Sequence, residues 1–285
     1  MICALPFLIL TPPLPLTTPT AEEIMCRVAE NQQRAEVARS KFVYDMNVFV
    51  RLQRANGKVA REESRDYVVT PTPKGARRKL IKLEGKIFQG KTEVPYTKAG
   101  FEHKGVDIDS GITDGFANSV MWRKNSMAAG LGWFPLTGGN QSRYEFKLEG
   151  EELYHDYDVY KISFQEMKSG DQDDCWSGET LIERHEFQPV LIRTSWDCKI
   201  PRAVKIMLGF TISQIGAKVT YQRFDKDVWF PVQSGGELKV RALFLYARTI
   251  AFSAKNGGFR KADVNTAIVF EGDADAPGDL ADDPH

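Results

Sequence analysis

Histidine is scarce in this chain, and with it goes much of the usual catalytic and metal-binding chemistry. Four occur in 285 residues, and one of them is the last residue. His103, His155 and His185 stand in unrelated contexts without metal-ligand spacing, so each reads as a structural or surface residue. A phosphate-binding glycine–lysine loop, a G-x-S-x-G elbow and an H-E-x-x-H helix are all missing. The acidic run Asp171 to Asp174 lacks the spacing and terminal glutamate of a calcium loop, and reads as a polar turn. No catalytic residue, metal ligand or cofactor site is nominated; an active site could still be assembled from scattered carboxylates, but no motif points to one.

Net charge is also lacking, because 38 basic residues balance 38 acidic ones. The balance hides an asymmetry. Residues 271–285 hold six acids and no lysine or arginine, which leaves a mildly basic body of 38 against 32. Such a body does not call for nucleic acid. The acidic tail has no periodicity and is expected to be disordered. No lysine or arginine precedes Arg27, so the basic start of a standard export signal is missing. Residues 2–10 are nevertheless an apolar run of signal-core size, too short to span a bilayer as a helix. Residues 1–20 are read as a leader or signal peptide, so the expectation is an exported chain.

What the sequence does have is alternation. Thr20 and Glu23 fit a capping box, and Ile24, Val28 and Ala35 fall on one face of the helix that follows. Phe42, Tyr44, Met46, Val48, Val50 and Leu52 then share one side of a long strand. Asn56-Gly57 makes the turn into the next strand. Runs of a dozen residues would make strands about 40 Å long, which curl rather than stay flat. Strands are expected on either side of Gly216, and one long strand is expected over 238–252, with one more at 266–270. The total is about eleven or twelve strands with no repeat, which predicts a mainly β protein with a single large curled antiparallel sheet. Residues 91–141 interrupt the pattern. There Ile108, Ile112, Phe116 and Val120 recur every four residues and predict a helix near 110–122. That helix is a lid, a plug, or the element that closes one end of the core.

The aromatic alternation is the main functional signal. Phe42, Tyr44, Met46, Val48 and Val50, with Phe244 and Tyr246, suit the concave face of a curled sheet. Ile112, Phe116 and Val120 would face them from the insert, and Trp229 belongs to one of two aromatic faces around Pro231. Side chains usually fill such a space, but a large sheet can enclose more volume than one short helix fills. These eleven residues are the candidate ligand-contacting set. Proline inside a strand is tolerated at an edge or at a bulge, so Pro231 predicts one of the two.

The stretches "WSGETLIERHEFQPVLIRT" and "IGAKVTYQRFDKDVWFPVQSGGELKVRALF" resemble the C-terminal half of the LolA/LolB-like periplasmic proteins, which include the outer-membrane lipoprotein-sorting proteins. The pattern covers roughly residues 21–270, and the motif-level likeness covers 176–252. The resemblance implies a half-open β-barrel closed by a helical lid, a hydrophobic cavity for the acyl chains of a lipid or lipidated protein, and no catalysis. It implies a monomer that meets an inner- or outer-membrane partner protein. An envelope-stress sensor of the RseB type, a related half-barrel that binds a partner protein, is the alternative.

Cys175 and Cys198 bracket a predicted hairpin that turns near Gln188-Pro189, which sets them within a few residues of cross-strand register. In an exported chain they are expected to form a disulfide, contributing about 3 kcal/mol by closing the loop. Peptide mapping without reduction after periplasmic expression should recover the Cys175–Cys198 pair. Two free thiols would refute it.

Overall fold

The period-two alternation folds into one antiparallel sheet, whose eleven strands among the described residues do not close into a barrel. The computed structural model describes residues 18–72, 75–103, 105, 107–120, 136, 138–167, 176–196, 210–225, 228–242 and 246–262. Helix α1 (Ala21–Arg39) precedes β1 (Phe42–Arg54), β2 (Val59–Thr72), β3 (Gly75–Gln89) and β4 (Thr92–Tyr96). Helix α2 (Ile108–Gly115) continues as a π turn (Phe116–Val120), and a short α3 (Gly138–Gln141) follows. Then come β5 (Tyr144–Tyr154), β6 (Tyr157–Glu166), β7 (Trp176–Glu183), β8 (Pro189–Trp196), β9 (Phe210–Asp225), β10 (Val228–Ala242) and β11 (Tyr246–Lys261). The expected leader, the acidic tail, residues 266–270, Phe244, Cys175 and Cys198 lie outside the described residues.

The strand order is β4-β3-β2-β1-β11-β10-β9-β8-β7-β6-β5. First and last strands therefore meet in the middle, and the two edges, β4 and β5, are consecutive in sequence. The chain between them has to pass from one edge to the other, and α2 lies on that route.

The curl of the sheet is legible in three cross-strand pairs on its inner face. Gly85 stands opposite Tyr96, Gly178 opposite Phe164 and Gly236 opposite Phe252. In each pair the ring lies over the glycine, and a Cβ there would run into it. At two of the glycines backbone stands closer still, the Arg193 carbonyl at Gly178 and the Gly216 carbonyl at Gly236. A glycine beneath an aromatic ring lets neighbouring strands bend inward without leaving a gap.

Two strand boundaries differ from the expectation. The residues around Gly216 do not turn. They belong to the single strand β9, and the register slips there, from Gly216 opposite Glu237 to Ser213 opposite Lys239. Glycine serves a bulge in this case rather than a reversal. The expected long strand over 238–252 is two, because β10 ends at Ala242 and its partner β11 begins at Tyr246. The residues between them, Leu-Phe-Leu, contain none of the usual turn formers, so the reversal left no sequence signal.

Pro231 sits in the centre of the sheet, not at an edge, and it is the bulge reading that holds. The register slips between Pro231 and Gln233 against β9, and β10 pairs with β11 only from Gln233 onward. The missing donor of Pro231 therefore interrupts no regular ladder. The Asn256 amide donates to the Pro231 carbonyl across the splay. Phe230 and Phe259 stack 4.1 Å apart beside it, with Phe42, Tyr44 and Phe224 around them. Trp229 turns the other way, toward α1.

Two large apolar clusters share the inner face, and Leu83, Ile87 and Tyr96 make a small third one. In the first, Ile24, Met25 and Val28 of α1 pack on β5–β9 and Trp229. The capping box is formed, with Thr20 and Glu23 exchanging both hydrogen bonds. In the second, β1, β2, β10 and β11 meet Ala117, Ile112 and Phe116. Replacing Gly178 by alanine should cost about 1–3 kcal/mol, as for an overpacked core. Urea unfolding would measure it, and an unchanged midpoint would mean that the curl does not depend on that pair.

Candidate functional site: the concave face and its cover

The concave face is built from the even residues of β1. Tyr44, Met46, Val48, Val50 and Leu52 are all buried, and Phe42 with them. Their partners across β2 are Tyr67, Arg65, Glu63 and Arg61, because Met46 pairs with Tyr67 and Leu52 with Arg61. The inner face therefore changes from apolar to charged within one strand spacing. On the other side of β1 it stays apolar, through Ala254, Phe252 and Ile250 of β11. A surface groove of ≈ 690 Å³ on β5–β8 is lined by Ser163, Ser177, Ser195, Glu179 and Arg193 together with Phe146 and Phe164.

The charges on the inner face bind the cover. Arg61 is almost wholly buried and fully partnered. Its Nε donates to the Tyr96 hydroxyl, its Nη1 to Asp107 at 3.0 Å and its Nη2 to the Phe101 carbonyl. Arg65 donates to Glu63 at 2.6 Å, to Asp114 at 2.5 Å and to Asn118 at 3.1 Å. Burial alone would lower the Arg65 pKa, but Asp114 and Glu63 raise it above its ordinary value. Tyr96 closes the network by donating to Glu63, and burial with that carboxylate pushes its phenol up. From the opposite side, Arg248 of β11 grips both oxygens of Asp109, at 2.9 and 3.0 Å. Tyr246 donates to the same carboxylate, and its phenol is likewise raised, by burial first and Asp109 second.

Three arginines thus hold three aspartates of the segment "DIDSGITD", Asp107, Asp109 and Asp114. This changes which face of the helix looks inward. The four-residue spacing put Ile108, Ile112, Phe116 and Val120 together. Instead Ile108 is 56% exposed, and Ser110, Thr113 and Ala117 are the buried residues. Ile112 and Phe116 are half-buried against the second cluster, with Phe116 5.5 Å from Phe252. Charge pairing outweighs the apolar stripe here, because a buried guanidinium left without a carboxylate costs more than an exposed isoleucine.

Of the sequence-nominated residues, the structure brings Tyr44, Met46, Val48, Val50, Ile112 and Phe116 into one cluster. Phe42 belongs to the aromatic group beside the Pro231 bulge. Trp229 lies in the other cluster, packed on Tyr157 and donating to Glu186. Tyr246 is a latch residue rather than an apolar wall. The side chain of Val120 and the whole of Phe244 lie outside the described residues. Sequence reading missed Arg61, Arg65 and Arg248. The signal was present in "REESR", where charges at alternate positions continue the inward face of Tyr67 and Val69.

No protein-family model matches the chain, and no curated protein is significantly similar to it in sequence. Solved structures do resemble it. A putative outer membrane lipoprotein-sorting protein domain from Vibrio parahaemolyticus is 9% identical, covers 87% of this chain and 97% of its own, and superposes with a TM-score of 0.37. A LolA superfamily protein from Nitrosomonas europaea is 11% identical over 87% and 96%, with a TM-score of 0.32. A DUF1329 family protein from Desulfovibrio piger is 12% identical over 86% and 94%, with a TM-score of 0.33.

Asp109→Asn removes the charge that Arg248 and Tyr246 share while keeping the shape. It should speed amide exchange across residues 108–118 and lower global stability by about 1–3 kcal/mol, since the pair is only partly buried. Unchanged exchange in that segment would show that apolar packing alone holds the cover.

Proposed function

We propose that this is a non-enzymatic periplasmic carrier that holds acyl chains of a lipid or lipidated protein against the concave face of its half-barrel. The observation that carries this reading is the nature of the cover. Residues 107–118 lie on an apolar floor, yet they are fastened to it through ion pairs. A permanent core element would be expected to rely on apolar burial, as α1 does. In the closed form Ile112 and Phe116 occupy the floor made by Met46, Val48, Val50 and Phe252. When the cover lifts, acyl chains take their place. Phe42 and Tyr44 extend the apolar wall along the sheet, while Trp229 lines the separate cluster under α1.

The second reading is the sensor or interaction module that binds a partner protein. What favours it is the open sheet, whose edge strands β4 and β5 each have one side unpaired among the described residues, on which a partner strand can add.

Titration with a fluorescent fatty acid separates a carrier from a filled core. Wild type should bind, and Phe116→Ala should bind about tenfold tighter, because the side chain that competes with the ligand is gone. If wild type binds nothing and Phe116→Ala merely loses about 3 kcal/mol, the floor is a packed core and the carrier reading fails.

A further inference from the structure

Three arginines of the described residues are fully buried, Arg39, Arg61 and Arg65. Arg61 and Arg65 each meet a carboxylate. Arg39, the last residue of α1, does not. It is 2% exposed, and its one hydrogen bond is to a neutral group, the carbonyl of Trp229, at 3.0 Å. Its Nε has no partner. Glu36, one turn earlier, acts on it only through space and is itself exposed. A guanidinium buried in this way is disfavoured unless something negative joins it.

Two further buried groups without partners gather at the same place. The Tyr221 hydroxyl is buried and makes no hydrogen bond, and Tyr221 stands opposite Pro231. The Asn256 side chain donates to the Pro231 carbonyl at 2.8 Å, and its Oδ1 is left buried and empty-handed. A carbonyl can only accept, so the amide nitrogen has to face Pro231 and the free atom has to be the oxygen. Arg39 also senses Tyr221 and Tyr44 electrostatically. Burial pushes the Tyr44 phenol up to about 12, and the Arg39 charge opposes that rise. The three unpartnered groups therefore surround the Trp229–Pro231 bulge, between the cluster under α1 and the cluster under α2.

We propose that Arg39, Tyr221 and Asn256 form a binding site for an oxyanion that carries a neighbouring hydroxyl, as in a phosphate monoester or a phosphoglycerol headgroup. Arg39 Nε–H and the Tyr221 O–H supply two donors for the anionic oxygens. Asn256 Oδ1 supplies the acceptor for the hydroxyl, which a bare carboxylate cannot fill. The inference adds a headgroup site to the carrier reading, on which it rests for the acyl part. A headgroup at the bulge would leave the acyl chain to run along β1 and β11 toward Met46 and Phe252.

The test compares a lysophosphatidylglycerol, the uncharged monoacylglycerol of the same chain length, and inorganic phosphate. Calorimetric titration and thermal melts are run on wild type, Arg39→Met and Tyr221→Phe. Wild type should bind the phosphoglycerol lipid about 10- to 100-fold tighter than the neutral one, the range for hydrogen bonds to a charged group. Both variants should lose that preference and keep the neutral affinity. Tyr221→Phe removes a hydroxyl that bonds to nothing, so its melting temperature without ligand should not fall, and it carries the test if Arg39→Met does not fold. If neither lipid binds, the carrier reading fails. In that case, a melting temperature raised by inorganic phosphate in wild type but not in Tyr221→Phe still supports the anion site, with a free anion as its source. Equal affinity for charged and neutral lipids, with no phosphate effect that depends on Tyr221, would overturn the proposal and leave the three groups to water.

Discussion

The structure depends on one topological constraint: two strands adjacent in sequence occupy opposite edges of an open, curled sheet. A closed barrel would have paired β4 with β5 and sealed its own interior. Here the sheet stays open, so its apolar inner face needs another cover. The chain that joins the two edges has to cross the opening anyway, and it carries that cover. The cross-strand pairs Gly85–Tyr96, Gly178–Phe164 and Gly236–Phe252 give the sheet the curvature that turns a face into a hollow.

Charge is placed against this frame with two different outcomes. On β2, Arg61 and Arg65 lie next to the floor and have their carboxylates supplied by Glu63 and by the cover. Each ion pair recovers in the interior part of what desolvation removes. Arg39 sits as deep, at the seam where β10 parts from β11, and receives only a carbonyl. The contrast argues that the fold can partner its buried arginines, and that the lone one is a functional exception. Strain and unmet polar groups of this kind gather at binding sites more than in inert cores.

Long-range order in this protein was legible where it follows from period-two alternation or from a cap. Thr20 and Glu23 give the start of α1, Asn56-Gly57 gives the first hairpin, and the even residues of β1 give the floor. Legibility ended where two chemistries compete within one segment. In "DIDSGITD" the apolar spacing grouped Ile108 with Ile112, but the aspartates decide the rotation. They do so through arginines on strands that are distant in sequence, and no local pattern reports those partners. Gly216 and the residues before Tyr246 show the same limit for turns, since a glycine can serve a bulge and a reversal can occur without one. Pro231 could be narrowed to an edge or a bulge, and only the strand order chooses between them.

The two elements over the hollow differ in how they are fixed, and that difference gives them different parts to play. The inner face of α1 is Ile24, Met25 and Val28, each at most 1% exposed, so lifting it would bring apolar surface into water at about 25 cal/mol per Å². Helix α2 and its π turn bury Ser110, Thr113 and Ala117, all small, and leave Ile112 and Phe116 at the margin. Its main ties are ion pairs whose acidic partners already touch water, with side-chain exposures of 16% for Asp107, 15% for Asp109 and 36% for Asp114. Arg61 and Arg65 are themselves only 1% and 3% exposed, but opening hydrates both partners of each pair at once and returns the desolvation cost that the closed pair carries. An element held in this way opens and recloses more readily than one sealed by an apolar core. On the carrier reading proposed above, α1 is then the fixed wall of the hollow, and the segment carrying α2 is the part that opens.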